Sequence, residues 1–585
     1  MAQFFKYFFA ALLALVVFCV LAVFLLVGIA SSIASKEQVV LNDHSVLFVD
    51  LGRPIAEQGE ENPLAPLTGD DEVEQPGVFD IVRMINFAKS DDQVDGLYLK
   101  CGSNANGFGT NEEIRNALKD FRSSGKFVIA FGEVLTQQAY HVANVADKVY
   151  AHPKGGVDWK GFGLQYVFFK KALDRLEIEP QIFYAGKFKS ATEPFREEEM
   201  TAANELQSKV LLEDLYSHFL SQAASARKLD TARLRSLADS NLLRSTQDAV
   251  HAGLLDGAKY EDEVKEEIRR KTSDKTIDQI NFVSLAKYSQ AVNYKAGKGT
   301  ERIAIIYAQG NIVDGNGDDN EIGGDRFRRY IRKARLDEKI KAIVVRINSG
   351  GGSAMASENM WREISLARKD KPVVVSYGDV AASGGYYMAC NADSIFALPN
   401  TITGSIGVFA IIPNMQGFFR DKIGVTFDGV ETSPHANAPS VSEPLTETER
   451  RFFQADVDSI YQTFLSRVAE GRNMKVADVD SVGQGRVWTG NRAITIGLVD
   501  RIGGMSDAMA AAAKLAKLKE YRIREYPEKV NLLERLTGSQ KHTVESRLIR
   551  RELGEELTKI FEEWKQIKSS IGKVQARMPF NIIFK

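Results

Sequence analysis

The sequence predicts an α/β protein built from two tandem copies of one β-α-β domain, with additional long helices and a single transmembrane helix in front. Three observations carry this reading. Apolar runs at Val46 to Leu51, Gly96 to Leu99 and Phe127 to Phe131 alternate with helical patterns such as Ile81 to Ala88 and Glu112 to Phe121, the rhythm of a largely parallel sheet covered by helices. A set of residues recurs at a nearly constant offset along the chain. Finally, Phe8 to Ile29 is an unbroken apolar run of 22 residues.

At about 1.5 Å per residue that run is roughly 33 Å long, enough to cross the hydrocarbon core of a bilayer. It exceeds the apolar stretch of an ordinary signal peptide, so an uncleaved anchor is favoured, although the small residues from Ala30 to Ser35 would suit cleavage. Lys6 and the terminal amine precede it, which puts residues 1–36 down as a cytoplasmic N-terminus and anchor and everything beyond on the extracytoplasmic side. Glu57 to Gly77, rich in Pro, Gly and acid, reads as a long mobile loop.

The repeat divides the remainder. Asp91 to Val94 matches Asp337 to Ile340, and Gly132, Tyr140, Asp147 and Pro153 match Gly378, Tyr386, Asp393 and Pro399, all at an offset of 246 with no gap from Asp91 to Gly161. Tyr216, Phe219 and Arg227 match Tyr461, Phe464 and Arg472 at 245, and Gly253 to Asp256 matches Gly497 to Asp500 at 244. Two halves follow, 37–292 and 293–585. Thr201 to Arg227 and Thr446 to Arg472 carry apolar residues at helical spacing and read as long packing helices. Glu545 to Arg577, with Leu548, Leu553, Leu557 and Ile560 on one side, reads as a further helix for subunit contact or capping.

Composition excludes several functions. A chain of 585 residues needs more than one core, and a net charge of -2 argues against a nucleic-acid surface. Cys19, Cys101 and Cys390 have neither a disulfide framework nor a metal-ligand spacing, so no metal or cofactor is expected.

The candidate site centres on Val373 to Gly407. A strand at Val373 to Ser376 leads through a turn to Ser383-Gly384-Gly385 and a predicted helix from Tyr386 to Ala392. A serine at such a junction lies beside free backbone N–H groups at the positive end of the helix, where an oxyanion would be stabilised. A second set of amides comes from Asn348 to Ser353, which follows the strand Ala342 to Val345. This glycine loop lacks the Gly-Lys-Ser/Thr or G-x-G-x-x-G of a phosphate binder, so the amide of Gly352 or of Gly351, with that of Gly384, forms the candidate oxyanion hole. Across the repeat Ser383 falls on Gln137, and the first half has no nucleophile there. The first half instead has Gly186-Lys187-Phe188-Lys189, whose Lys189 falls opposite Pro439. His435 and His542, the histidines after Ser383, lack a triad-like setting, so a base for the serine would be a lysine kept neutral by burial, Lys189 or its neighbour Lys187. Each copy would then hold half of one composite site.

Taken together, S-G-G-Y, N-S-x-G-G-S, Thr403 to Gly407 (T-G-S-I-G), G-K-x-K-S-A-x-E-P-F, Val487 to Asp500 and Ala576 to Phe580 resemble the signal peptide peptidase A (protease IV) family in its long, duplicated bacterial form. The resemblance covers nearly all of the chain. It implies a Clp protease/crotonase-like fold and a membrane-anchored serine endopeptidase that degrades cleaved signal peptides. It assigns Ser383 as nucleophile, Lys189 as general base, the amides of Gly352 and Gly384 as oxyanion hole and Ser405 as the residue orienting the lysine. It also implies a homotetramer in the bacterial inner membrane, with its catalytic body on the periplasmic side. Gly350 departs from the proline common in the family. Two other classes fit less well: a crotonase-like acyl-CoA lyase or hydratase, disfavoured by the anchor, and a non-catalytic membrane scaffold, disfavoured by the complementary losses in the two copies.

Overall fold

The computed structural model describes residues 2–34, 41–61, 74–102, 104–528 and 572–578. Ala2–Ala34 is one continuous helix, and its Gln3–Leu21 stretch is long and apolar enough to cross a membrane.

The body is α/β, and the duplication is written in its topology. One parallel sheet runs in the order Gly257–Ala258, Lys148–Val157, Phe127–Leu135, Val94–Lys100, Ser45–Asp50, Phe282–Ser284. In the second, Arg501–Ile502, Ser394–Ala397, Val373–Ala382, Ile340–Ser349, Arg302–Gln309 and Arg522–Tyr526 neighbour one another in the same order. Their central strands are runs of Val, Ile and Ala buried on both faces, as parallel strands under helices must be. The long helices Ala202–Arg227 and Glu447–Arg472 are built alike. Each begins with a threonine, Thr201 or Thr446, whose hydroxyl accepts from an amide of the first turn, and each ends on a left-handed residue, Lys228 or Asn473.

Equivalent hydrogen bonds repeat as well. Tyr140 donates to the Leu254 carbonyl and Tyr386 to that of Leu498, each at 2.9 Å. Arg227 pairs with Asp256 as Arg472 does with Asp500. The offset is not constant, however. Asp147 accepts from the amide of Val128 and Asp393 from that of Val373, so the carboxylates stand 246 apart and the strand residues 245, and one residue is lost and regained within this stretch.

A third sheet joins the halves, in the order Glu321–Gly323, Asn311–Val313, Gly351–Ser353, Gln575–Arg577, Val408–Asn414, Glu179–Ala185. Its last strand belongs to the first half and pairs antiparallel with Val408–Asn414 of the second, from Val408 opposite Ala185 to Asn414 opposite Glu179. The segment that leads to Lys189 is therefore attached to the other repeat.

Three expectations change. The loop from Glu57 to Gly77 starts as fixed structure: Glu57 is buried against the second half, and Glu60–Glu61 pairs with Glu74–Gln75, while 62–73 lie outside the described residues. Of the helix expected from Glu545 to Arg577, the part including Leu548, Leu553, Leu557 and Ile560 lies outside the described residues, and Gln575–Arg577 is a strand whose backbone is taken up by two neighbours. The helix expected from Tyr386 to Ala392 is a single turn, Gly384–Tyr387. Beyond it the amides of Ala389 and Ala392 bond three residues back rather than four, so the chain tightens instead of continuing.

The halves are locked by a buried charge cluster that the sequence did not signal. Arg346 of the second half ion-pairs with Glu57 (2.7 Å) and Glu113 (2.5 Å) of the first, and all three are buried. Burial alone would lower the pKa of the guanidinium, but the carboxylates of Glu113 and Glu57 outweigh it and hold the pKa above its ordinary value. Removing one partner of such a cluster leaves uncompensated buried charge, which costs about 3–5 kcal/mol. Arg346→Leu, with two carboxylates stranded, is expected to lower the unfolding free energy by about that amount in urea denaturation; an unchanged midpoint would show that the cluster contributes nothing net.

Candidate active site

The site is assembled from two strand ends and a loop. The Val373–Ala382 strand delivers Ser383, whose backbone adopts φ 53° and ψ -114°, a region that L residues seldom occupy. Its amide donates to the Gly404 carbonyl at 2.8 Å, and its side chain makes no capping bond to its own helix. The hydroxyl instead faces Lys189.

Lys189 lies just past the Glu179–Ala185 strand and is held from both halves. Phe188 donates its amide to the Gln484 carbonyl at 2.7 Å, and Gln207 donates to the Phe188 carbonyl at 3.0 Å. Gly485, at φ +77°, passes so close that a Cβ there would lie 2.6 to 2.7 Å from the Lys189 backbone, which only glycine permits. Lys189 Nζ stands 2.9 Å from Ser383 Oγ, 3.0 Å from Ser405 Oγ and 3.2 Å from the Ser405 carbonyl oxygen. Lys189 is 1% exposed and Ser383 and Ser405 0%, and burial alone pushes the lysine pKa well below its ordinary 10.5. Lys187, the competing lysine, is exposed.

The glycine loop closes the opposite wall. Gly351 and Gly352 lie in the Gly351–Ser353 strand with φ of +98° and +156°, and a Cβ on Gly384 would stand 3.2 Å from the Gly352 nitrogen. The backbone of Gly352 thus abuts that of Gly384. Among the described residues only Met578 lies within 4 Å of a would-be Cβ on Gly350. In the first half, Gln137, at the position equivalent to Ser383, is buried and tied through its amide to Gly161, donating at 2.9 Å and accepting at 3.0 Å.

The structure thus brings together Ser383, Lys189, Ser405, Gly352 and Gly384. The supports of the lysine are not legible in the sequence: Gln207 stands in the next long helix, and Gln484 and Gly485 lie in the other half of the chain. The signal that could have found the last two was the block Val487 to Asp500, which follows them directly. Nor is the entry of Gln575–Arg577 into this site legible there.

Such an arrangement can transfer a proton from serine to a neutral amine within a water-poor enclosure, and can offer converging amides to an oxyanion. The sequence model of peptidase family S49 matches residues 120–274 and again 365–519. Protease 4 of Salmonella typhi is 36% identical over 492 residues, covering 82% of this chain and 78% of that protein. Protease 4 of Haemophilus influenzae is 32% identical over 518 residues, covering 85% and 83%. The chloroplastic serine protease SPPA of Arabidopsis thaliana is 32% identical over 442 residues, covering 74% and 65%.

The lowered lysine pKa has a consequence for stability. Between its depressed folded pKa and 10.5 the folded state binds fewer protons than the unfolded one, so this group makes the protein more stable as pH rises through that window. Lys189→Met is therefore expected to raise the melting temperature at neutral pH, with the gain shrinking as pH approaches 10.5. A gain independent of pH would mean that the lysine is not desolvated.

Proposed function

This chain belongs to peptidase family S49, carried in two copies, and on that premise we propose that it is a membrane-anchored serine endopeptidase with a Ser383–Lys189 dyad. The single observation that carries this reading is the 2.9 Å approach of Lys189 Nζ to Ser383 Oγ, across 194 residues of sequence, in an enclosure that keeps the amine dry.

Neutral Lys189 takes the Ser383 proton as Oγ attacks the scissile carbonyl carbon. The amides of Gly352 and Gly384 receive the charge on the carbonyl oxygen, each such donor worth about 3–4 kcal/mol in the transition state. The lysine ammonium then protonates the leaving amine, the C–N bond breaks, and an acyl-enzyme remains on Ser383. The same lysine next takes a proton from water, whose oxygen attacks the ester carbon and releases the acid. Ser405 supports the lysine in both steps: its hydroxyl and carbonyl oxygens accept the remaining N–H groups of Nζ and aim the lone pair at Ser383.

Cleaved signal peptides as substrates, a homotetrameric assembly, and a periplasmic body held at the bacterial inner membrane are further parts of this reading. The apolar helix Ala2–Ala34 supports the anchor, and the family resemblance supports the rest.

Ser383→Ala and Lys189→Ala, assayed separately on a signal-peptide-like substrate, should each lower kcat/KM by on the order of a millionfold, the scale seen when an acyl-transfer nucleophile or its base is removed. Full activity in either variant would sink the dyad. In the unaltered enzyme kcat/KM should rise with pH along an acidic limb set by the lysine, with a midpoint well below 10.5.

A further inference from the structure

Lys189 is the central residue of a three-residue turn. Its φ of -76° and ψ of 73°, with the Ser190 amide donating to the Phe188 carbonyl at 2.8 Å, are those of an inverse γ-turn. A single hydrogen bond closes such a turn, so its surroundings decide how firmly the lysine side chain is aimed.

One carboxamide brackets it. Gln207, on the helix Ala202–Arg227, is 1% exposed, and its Nε2 donates to the Phe188 carbonyl and to Ser190 Oγ, each at 3.0 Å. These acceptors belong to the residues immediately before and after the lysine. Asn204 Oδ1 stands 3.2 Å from the same nitrogen, and Asn204 Nδ2 donates to the Glu193 carboxylate at 2.9 Å. Glu193 also accepts from the hydroxyl of Thr201, the residue that caps this helix, at 2.6 Å. Helix start, carboxamide and turn are therefore one connected network.

The other end of the carboxamide meets the half that carries the serine. The Val487 amide points at Gln207 Oε1 over a long 3.5 Å, and Leu211 and Leu215, further along the same helix, pack with Val487, Ala382 and Ile402. Val487 lies opposite Gly404 in the sheet, and the Gly404 carbonyl receives the Ser383 amide at 2.8 Å. The path from the lysine's turn to the serine's backbone thus runs through Gln207, Val487 and Gly404.

The duplication offers a comparison within the chain. The two long helices are capped by Thr201 and Thr446, and at that offset Gln207 falls on Phe452, which is 68% exposed. The copy with Pro439 in place of the lysine thus has a solvent-facing ring in place of the buried carboxamide. Packing alone does not call for an amide here, because an apolar side chain would fill the space with no polar partners to satisfy.

We infer that Gln207 is a positioning residue for the reaction: its carboxamide holds the Lys189 turn against the Val487 strand and so sets where Nζ stands relative to Ser383 Oγ. This rests on the dyad reading above. The group has to be neutral as well as a donor. A carboxylate in its place would lose both N–H bonds and set a negative charge beside the lysine, which favours the ammonium form. The other charged groups around the turn are Lys187 and Arg486, over the Phe188 ring at 5.9 and 4.9 Å, and Glu193 behind Asn204 with Arg196 beside it.

The test compares full-length Gln207→Met and Gln207→Glu with the unaltered enzyme in detergent, with Ser383→Ala and Lys189→Ala alongside. The constants kcat and KM are measured on a signal-peptide-like substrate and expressed per Ser383 labelled to completion by a fluorophosphonate. Methionine has a similar length and no donor, whereas glutamate keeps the shape. Since a 1 Å misplacement can cost about a hundredfold in rate, kcat is expected to fall about tenfold to a hundredfold in Gln207→Met with KM unchanged. In Gln207→Glu a similar fall is expected at neutral pH, with the acidic limb of kcat/KM displaced to higher pH. Unchanged kcat per labelled serine in both variants, even with a lower melting temperature, would make Gln207 a structural residue and overturn the inference. A loss confined to KM, or an unmoved limb in Gln207→Glu, would overturn it too. Full activity in Ser383→Ala or Lys189→Ala would instead remove the dyad reading, and this inference with it.

Discussion

In the proposed mechanism one amine, that of Lys189, has to stay out of water for the rest of the site to act. At its ordinary pKa of 10.5 a lysine is almost wholly protonated at neutral pH and cannot accept a proton from serine. Burial is what changes this: among the described residues Lys189 has no carboxylate beside its amine, which meets the hydroxyls of Ser383 and Ser405 and one carbonyl, so desolvation acts without an opposing charge. The cost is a destabilised folded state, which surrounding packing must offset.

That packing explains why both repeats are needed. The first half contributes the lysine and the second contributes the walls that keep it dry: the Val408–Asn414 strand that holds Glu179–Ala185, and the Gln484–Gly485 turn closed over Phe188 and Lys189. Arg346, clamped between Glu57 and Glu113, fixes one half against the other within the same strand, Ile340–Ser349, that leads into the glycine loop. Strain at Ser383 is carried by this frame, with its amide bonded to Gly404 and Ser405 tied to Arg486.

Much of this was legible in the sequence because the chain was duplicated. The offset between Gln137 and Ser383, and between Lys189 and Pro439, exposed a serine and a lysine with no local partner, and complementary loss is informative without any coordinates. Strand runs such as Val94–Lys100 and Ile340–Ser349 were readable from composition, since parallel strands bury both faces. Contacts made between distant segments were not. Glu57 looks like loop because its acid-rich neighbourhood says nothing of Arg346, 289 residues away. Ala576 reads as part of a helix because a strand of three residues has no periodicity of its own. The helix after Ser383 was overestimated for a related reason: Tyr386, Met388 and Cys390 are apolar because they are buried, not because a helix continues through them.

The proposed mechanism needs Lys189 neutral at working pH, and burial lowers its pKa in that direction. Its ionisation can be observed directly in the full-length protein selectively ¹³Cε-labelled at lysine, with the Lys189 resonance assigned by its disappearance in Lys189→Met and followed against pH by NMR. A midpoint well below that of the exposed lysines is expected; a midpoint at the ordinary 10.5 would show that burial does not neutralise the amine and would remove Lys189 as the base.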